Sequence, residues 1–503
     1  MLVVKNSIAN SIGQVYTLMI GIIVTPLYLQ YLGAEAYGLV GFFALMLAWM
    51  VLLDAGLSPA LGRQLAYARG QTKNLDNFVK LLRSIEIIFV LIAVFVSITI
   101  LLSSEWIANY WIKAENLELD TISYCISVMG LIIGLRFFSS LYRSGLNGLE
   151  DQVWLNKANI FLVSLKFIGA LFLLHYISTN IVHFFEYQLF IGLLELFIIA
   201  IRFYCVLPVN KLNLKLQFHW NEVRAIAPFA LGVAYSAVIW VLISQTDKLI
   251  LSGLLSLKEF GYLSLVSLIT ISITALNAPI IQAVQPRMTL LLSQGKTDEM
   301  ILLYRRSTQI IAWLALSVAL TVSFFSEPLL YSWTGDREAA KWGADILFWF
   351  ALGNGVLAVT ALQYMLQSVF GRLKLHNIGN TISVIIQVPV IYYAAVTYGA
   401  LGAGIAWFVF RLVWFFFWTP IVHKIFLPGL HFSWLFKDVL PIAATILMIS
   451  LLLNQLVEID MELNRAIMFL LLILLGSVQL IVSLPSSSFI REVVLKKIRV
   501  KVQ

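Results

Sequence analysis

A chain of 503 residues that is 60% hydrophobic and only 12% charged has too little polar surface to cover a water-soluble core. A lipid bilayer accommodates that composition, so soluble enzymes and nucleic-acid-binding proteins are excluded. The formal net charge of +8 is strung along short loops without a concentrated basic patch, which marks loops held in the cytoplasm. Two cysteines, Cys125 and Cys205, make no disulfide or metal pattern and read as small packing residues.

A helical span needs about 20 apolar residues to cross the hydrocarbon. In chain order, that rule predicts spans near 8–32, 38–60, 84–103, 121–141, 158–178, 183–206 and 225–251. It continues with 260–285, 307–326, 342–363, 377–398, 399–420, 438–455 and 465–483. The first run lacks a small-residue cleavage site and reads as a span, not a leader. The short alternating segments of a β-barrel are absent from the sequence.

Basic residues alternate with the spans. Arg63, Arg69, Lys73, Lys80 and Arg83, then Arg287, Lys296, Arg305 and Arg306, fall on one side. The tail adds Arg491, Lys496, Lys497, Arg499 and Lys501. Opposite loops are acidic, with Glu105, Glu115, Glu118 and Asp120 in one and Glu458, Asp460 and Glu462 in another. Both termini are therefore expected in the cytoplasm. Trp106, Trp111, Trp333 and Trp342 read as interface anchors on the outer side.

The chain repeats itself about 222 residues on. Arg83-Ser84 with Ile87-Ile88 recurs as Arg306-Ser307 with Ile310-Ile311, and Ser104-Glu105 with Trp111 as Ser326-Glu327 with Trp333. Gly148, Asn156 and Asn159 recur as Gly371, Asn377 and Asn380, while Tyr37-Gly38 is echoed by Phe260-Gly261 and Gly70 by Gly295. Six spans separate the copies, so they are parallel. The expected fold is an all-α polytopic membrane protein of about 14 helices. It comprises two pseudo-symmetric six-helix lobes, 1–216 and 217–430, and a segment 431–503 with two extra helices and a basic tail.

Charges inside spans are costly in lipid and mark cavities or partners. Lys166 lies deep in the fifth span, Arg411 in the middle of the twelfth, Glu195 centrally in the sixth and Asp54 in the second. A cavity-facing role for Lys166 and Arg411 competes with a buried structural pair, for instance Lys166 with Glu195. Arg136 and Arg202 sit near inner ends, where snorkelling explains them. Asp247 and Lys248, at the outer end of the seventh span, are an interfacial pair or a gate. In the register of the repeat Lys166 matches Val388 and Arg411 matches Leu189, so the copies share a scaffold but not their deep charges.

The sequence shows no phosphate-binding loop, zinc-protease motif or nucleophile elbow, and no loop long enough for a catalytic domain. Neither an enzyme nor a metal or cofactor site is expected. His219, His423 and His431 read as solvated or interfacial.

Several stretches carry a resemblance. They are Leu32-Gly33-Ala34-Glu35-Ala36-Tyr37-Gly38, Asp54-Ala55-Gly56-Leu57, Tyr142-Arg143-Ser144-Gly145-Leu146-Asn147-Gly148-Leu149-Glu150 and Gln245-Thr246-Asp247-Lys248-Leu249-Ile250-Leu251. With the fourteen spans, they make the chain similar to the lipid-linked oligosaccharide flippases of bacterial polysaccharide synthesis. These belong to the multidrug/oligosaccharidyl-lipid/polysaccharide exporter superfamily.

The resemblance implies two lobes around a central cavity, alternating access in the bacterial cytoplasmic membrane, and an undecaprenyl-diphosphate-linked oligosaccharide as substrate. Implied partners are that lipid, membrane lipids and polysaccharide polymerase machinery. Lys166, Arg411 and Arg136 are candidates for the diphosphate and glycan, Asp54 and Glu195 for ion coupling, and Asp247 and Lys248 for a gate. One departure stands out: related flippases often carry arginines on the first two spans, whereas none occurs here before Arg63. The alternatives are a cation-coupled exporter of small molecules, which would favour Asp54 and Glu195 over deep cations, and a membrane enzyme of polysaccharide assembly.

Overall fold

The computed structural model describes residues 2–69, 75–208, 217–489 and 491. Gly70, Lys73, Lys496, Lys497, Arg499 and Lys501 lie outside the described residues, as does the lobe boundary at residue 216. Backbone groups in lipid must bond within their own segment. Accordingly, the described residues form helices, with one isolated parallel bridge between Lys113 and Ser256.

Packing divides the chain into two units, Met1–Gly261 and Tyr262–Gln503. The first contains α1 (Leu2–Leu32), α2 (Ala34–Trp49), α3 (Leu57–Arg69), α4 (Leu75–Trp106) and α5 (Leu119–Gly148). It continues through α6 (Gln152–Ser164), α7 (Ala170–Tyr176), α8 (Ile181–Val206) and α9 (Trp220–Leu254). Next, α10 (Leu257–Ala275) runs from the first unit into the second. The second unit holds α11 (Asn277–Ser293), α12 (Thr297–Phe324), α13 (Ser326–Thr334), α14 (Arg337–Val369) and α15 (Lys374–Phe426). It ends with α16 (Leu430–Trp434), α17 (Leu440–Leu456) and α18 (Arg465–Ser483).

Order along the repeat and packing are different properties of α9. By order it is the first span of the second copy, yet it packs in the first unit. A Cβ on Gly56 would meet the Ala230 carbonyl, and the Arg63 guanidinium lies 4.4 Å from the Phe229 ring centroid. The His219 N–H donates to Ser84 Oγ at 2.8 Å.

Thirteen helical segments among the described residues are long and apolar enough to cross a membrane, and one of them, Lys374–Phe426, contains two expected spans. It doubles back at Gly399, whose φ of 62° and ψ of −149° suit only glycine. Gly379 then packs against Trp418, and Arg411 reaches Gln387.

The last two spans are tied to α12 by buried polar groups. Asp438 accepts a two-pronged bond from Arg305, through Nε at 2.6 Å and Nη2 at 3.2 Å, and a third from Gln309 Nε2 at 2.6 Å. Gln309 Oε1 accepts from Ser487 Oγ at 2.7 Å and from the Phe489 N–H at 3.0 Å, which fixes the end of α18.

A Cβ at Gly399 would have no neighbouring atom within 4 Å, so alanine there meets only backbone strain. Gly399→Ala should destabilise the purified protein by about 1–3 kcal/mol. Thermal unfolding in detergent measures it, and an unchanged midpoint would show that the reversal does not need a glycine.

Candidate functional site

Lys166 stands in a single π-helical turn, Leu165–Gly169, between α6 and α7. Such a turn breaks the regular ladder, and its carbonyls need other donors in lipid. Tyr28 OH donates to Phe167 O at 2.8 Å and lies 3.2 Å from Lys166 O, Tyr187 OH donates to Leu165 O at 2.9 Å, and Gln188 Nε2 to Lys166 O at 2.9 Å. The turn is thereby held by α1 and α8, and it brings the lysine to Glu195 on α8.

Glu195 is buried, with a side chain only 6% exposed, and one oxygen pairs with Lys166 Nζ while the other pairs with Arg143 Nη2. Arg143 also lies 3.4 Å from Asn159 Oδ1. Arg136, two turns earlier on α5, shares that helix face and lies within electrostatic range of Glu195, Lys166 and Arg143. Its guanidinium sits 5.2 Å from the Phe43 ring centroid, and its buried Nε has no hydrogen-bond partner among the described residues. Two cations therefore pair with one carboxylate and a third lies in electrostatic range, leaving two positive charges in excess inside the membrane-spanning helices. That excess suits an anion, because each cation beyond the first keeps attraction that Glu195 does not satisfy.

In the second unit, Arg411 is buried, donates from Nη2 to Gln387 Oε1 at 3.1 Å, and lies 4.1 Å from the Trp407 ring centroid. The repeat matches Lys166 and Arg411 to apolar residues, Val388 and Leu189. Gln188 donates to the backbone carbonyl of Lys166, whereas Gln387 accepts from the Arg411 guanidinium. The two deep cations therefore engage different groups: Lys166 Nζ pairs with Glu195, and Arg411 donates to Gln387.

Asp54 has a local task. Its Oδ1 accepts from the Ser58 N–H at 3.0 Å and Oγ at 2.6 Å, fastening α3 after a break at Met50–Asp54, Ala55 and Gly56. Span two, expected as continuous, is interrupted there, and Leu276 separates α10 from α11 at the matching place. Asn277 stands where Asp54 does and donates to Ala358 O at 2.8 Å. Asp247 and Lys248 pair at 3.5 Å, and Lys248 Nζ also donates to Ser244 O on its own helix at 3.0 Å.

Sequence reasoning misses three features. Arg143 lies beyond the expected end of the fourth span, although its seven-residue spacing from Arg136 puts both on one face. Glu86 is a buried acceptor for Arg83 at 2.6 Å, for Tyr142 at 3.0 Å and for Tyr204. His423, expected at a solvated margin, is fully buried: Nε2 meets Tyr304 OH at 2.9 Å and Nδ1 meets His431 at 3.1 Å. Three large neighbours, Tyr304, Phe415 and Trp434, enclose that end of the hairpin. Trp111, expected as an interface anchor, donates its indole N–H to Ser252 Oγ at 3.0 Å. No group of three or more potential metal ligands occurs among the described residues.

Residues 3–292 match the family described as polysaccharide biosynthesis protein. The chain belongs to this family. A Shigella flexneri protein whose description proposes it as an O-antigen transporter is 20% identical over 409 residues, covering 81% of this chain and 94% of the relative. Among solved structures, this member of the polysaccharide biosynthesis protein family resembles the lipid II flippase MurJ in an inward closed conformation. That TM-score is 0.72 at 17% identity, with 96% of this chain and 99% of the other covered. An inward-facing multidrug-resistance MATE transporter of the MOP superfamily gives 0.63 at 15% identity, covering 84% and 99%. The family member thus has the helical fold of MurJ and the MATE transporters.

Removing either end of the cluster should have unequal effects. Lys166→Met leaves Arg143 facing Glu195, whereas Glu195→Ala leaves three cations without their carboxylate. Glu195→Ala should therefore destabilise by about 3–5 kcal/mol, well beyond Lys166→Met. Thermal unfolding of both purified variants checks this, and equal losses would contradict the shared-carboxylate arrangement.

Proposed function

We propose that this protein is a flippase that moves an undecaprenyl-diphosphate-linked oligosaccharide from the inner to the outer leaflet of the bacterial cytoplasmic membrane. It works by alternating access in surface polysaccharide biosynthesis, with the duplicated halves, 1–216 and 217–430, as its moving parts and both termini in the cytoplasm. The observation that carries this reading is the excess of cations around Glu195. A diphosphate brings negative charge that Arg136, Arg143 and Lys166 can bind by charge-assisted hydrogen bonds, strong in a low-dielectric interior. Within the second unit, Arg411 is the candidate cation for the same chemistry. The family and the O-antigen relative agree with a lipid-linked glycan as cargo, and polymerase machinery that consumes the flipped glycan is the natural partner.

The competing reading, an exporter of small organic cations, draws on the MATE-like fold. It needs carboxylates available to a cationic substrate. Glu195 is already paired twice and Asp54 is engaged by Ser58, so the charge balance favours the anionic lipid. Glu195 and Asp54 remain the candidates for ion coupling, and Asp247 with Lys248 for a gate.

Reconstituted in proteoliposomes, the protein should transfer a labelled undecaprenyl-diphosphate glycan across the bilayer. Lys166→Ala and Arg411→Ala should each slow the initial rate by about tenfold or more at normal protein abundance, the scale of one charge-assisted hydrogen bond. Unchanged rates in both variants would remove these cations from the substrate site. Glu195→Gln should abolish any dependence of that rate on an imposed proton or sodium gradient. A gradient response identical to that of the parent would take coupling away from this carboxylate.

A further inference from the structure

The turn between α9 and α10 leaves backbone groups without helical partners, as every helix end does. Here a single residue of another segment meets two of them. Lys113 Nζ donates to Leu254 O at 2.9 Å, and Lys113 O accepts from the Leu257 N–H at 2.8 Å. The parallel bridge of Lys113 with Ser256 lies between these bonds. Two residues earlier, the Trp111 indole donates to Ser252 Oγ at 3.0 Å and packs over Gly253, where a Cβ would come within 3.2 Å of the ring.

The segment that makes these contacts is not held by regular structure. After the π-helical turn Ile107–Trp111 the chain is extended at Ile112, and α5 begins only at Leu119. One carboxylate fixes it. Glu35, buried at the start of α2, accepts the Glu115 N–H at 2.6 Å, the Asn116 N–H and Nδ2 each at 3.0 Å, and the Leu117 N–H at 3.4 Å. An acidic side chain that gathers three successive backbone donors orders an otherwise loose loop. Beside it, the first turn of α10, which belongs to the first unit, lies on α2: a Cβ on Gly38 would meet the Leu257 carbonyl, and one on Gly261 the Ala34 carbonyl.

The two sets of bonds differ in kind. Those of Glu35 join elements of the first copy of the repeat. Those of Trp111 and Lys113 join the first copy to the opening hairpin of the second.

We propose that residues 111–118 are a latch: Glu35 positions the segment, and Trp111 and Lys113 fasten the α9–α10 turn with it. This face stays shut until the bonds of Trp111 and Lys113 release. The latch rests on the transport reading above, because a face that opens is required only of a transporter. Glu35 acts through the loop it orders, and the bonds that break on opening are the three made by Trp111 and Lys113.

The test uses the full chain with Cys125 and Cys205 replaced by alanine. Residues opposed across a bridge lie within disulfide range, so Lys113→Cys combined with Ser256→Cys should cross-link on oxidation. Cross-linked protein should lose about tenfold or more of its flipping rate and regain it on reduction. Failure to cross-link, or equal rates in oxidised and reduced protein, would overturn the latch. A second readout needs no lipid substrate, which separates failure of the latch from failure of the flippase reading. Leu255→Cys, a buried position of the same turn that makes none of these three bonds, should react slowly with a membrane-impermeant maleimide in the parent and about tenfold faster or more when Glu35→Gln or Trp111→Phe is added. Unchanged labelling in both would also overturn it.

Discussion

A charge in hydrocarbon is costly unless it is partnered, and the deep polar chemistry of the first unit depends on that condition being met at one residue. Glu195 sits between Lys166 and Arg143, with Arg136 in range. Without the carboxylate, three cations on α5 and the α6–α7 turn would repel one another in a medium that screens poorly. With it, they stay together and keep a surplus of positive charge. One carboxylate both permits the cluster and leaves it incomplete, and the incompleteness is what an anionic ligand would exploit.

The helices that carry this cluster are irregular where the chemistry is. The turn at Lys166 departs from the α-helical ladder and is held by Tyr28, Tyr187 and Gln188. Span two breaks beside Asp54, and the eleventh and twelfth spans reverse at Gly399. Each irregularity leaves backbone groups that lipid cannot satisfy, and side chains from neighbouring helices do so instead. In the second unit the deep cation has a different setting: Arg411 donates to Gln387 and lies against Trp407.

Much of the fold is legible because hydrophobic runs in membranes are long and their spacing is strict. The span reversal near residue 399 follows from the sequence, and the pairing of Lys166 with Glu195 is one of two readings it allows. Helix boundaries are the weak point. Ending the fourth span at residue 141 hides Arg143, because α5 continues to Gly148. The solvated margin expected for His423 fails for a related reason: its sequence position is marginal, but Tyr304, Phe415 and Trp434 close over that end of the hairpin. The role of Glu35 is not legible at all, since its donors lie about 80 residues along the chain and are backbone groups without a sequence signature.

Everything proposed for the Glu195 cluster requires that it select negative charge. Binding of unglycosylated undecaprenyl diphosphate to the purified protein, read as a thermal shift beside a lipophilic cation such as tetraphenylphosphonium, tests this without transport. The diphosphate should raise the unfolding temperature, Lys166→Met should remove most of the shift, and the cation should have no effect. Stabilisation by the cation and not by the diphosphate would contradict an anion-selective cluster.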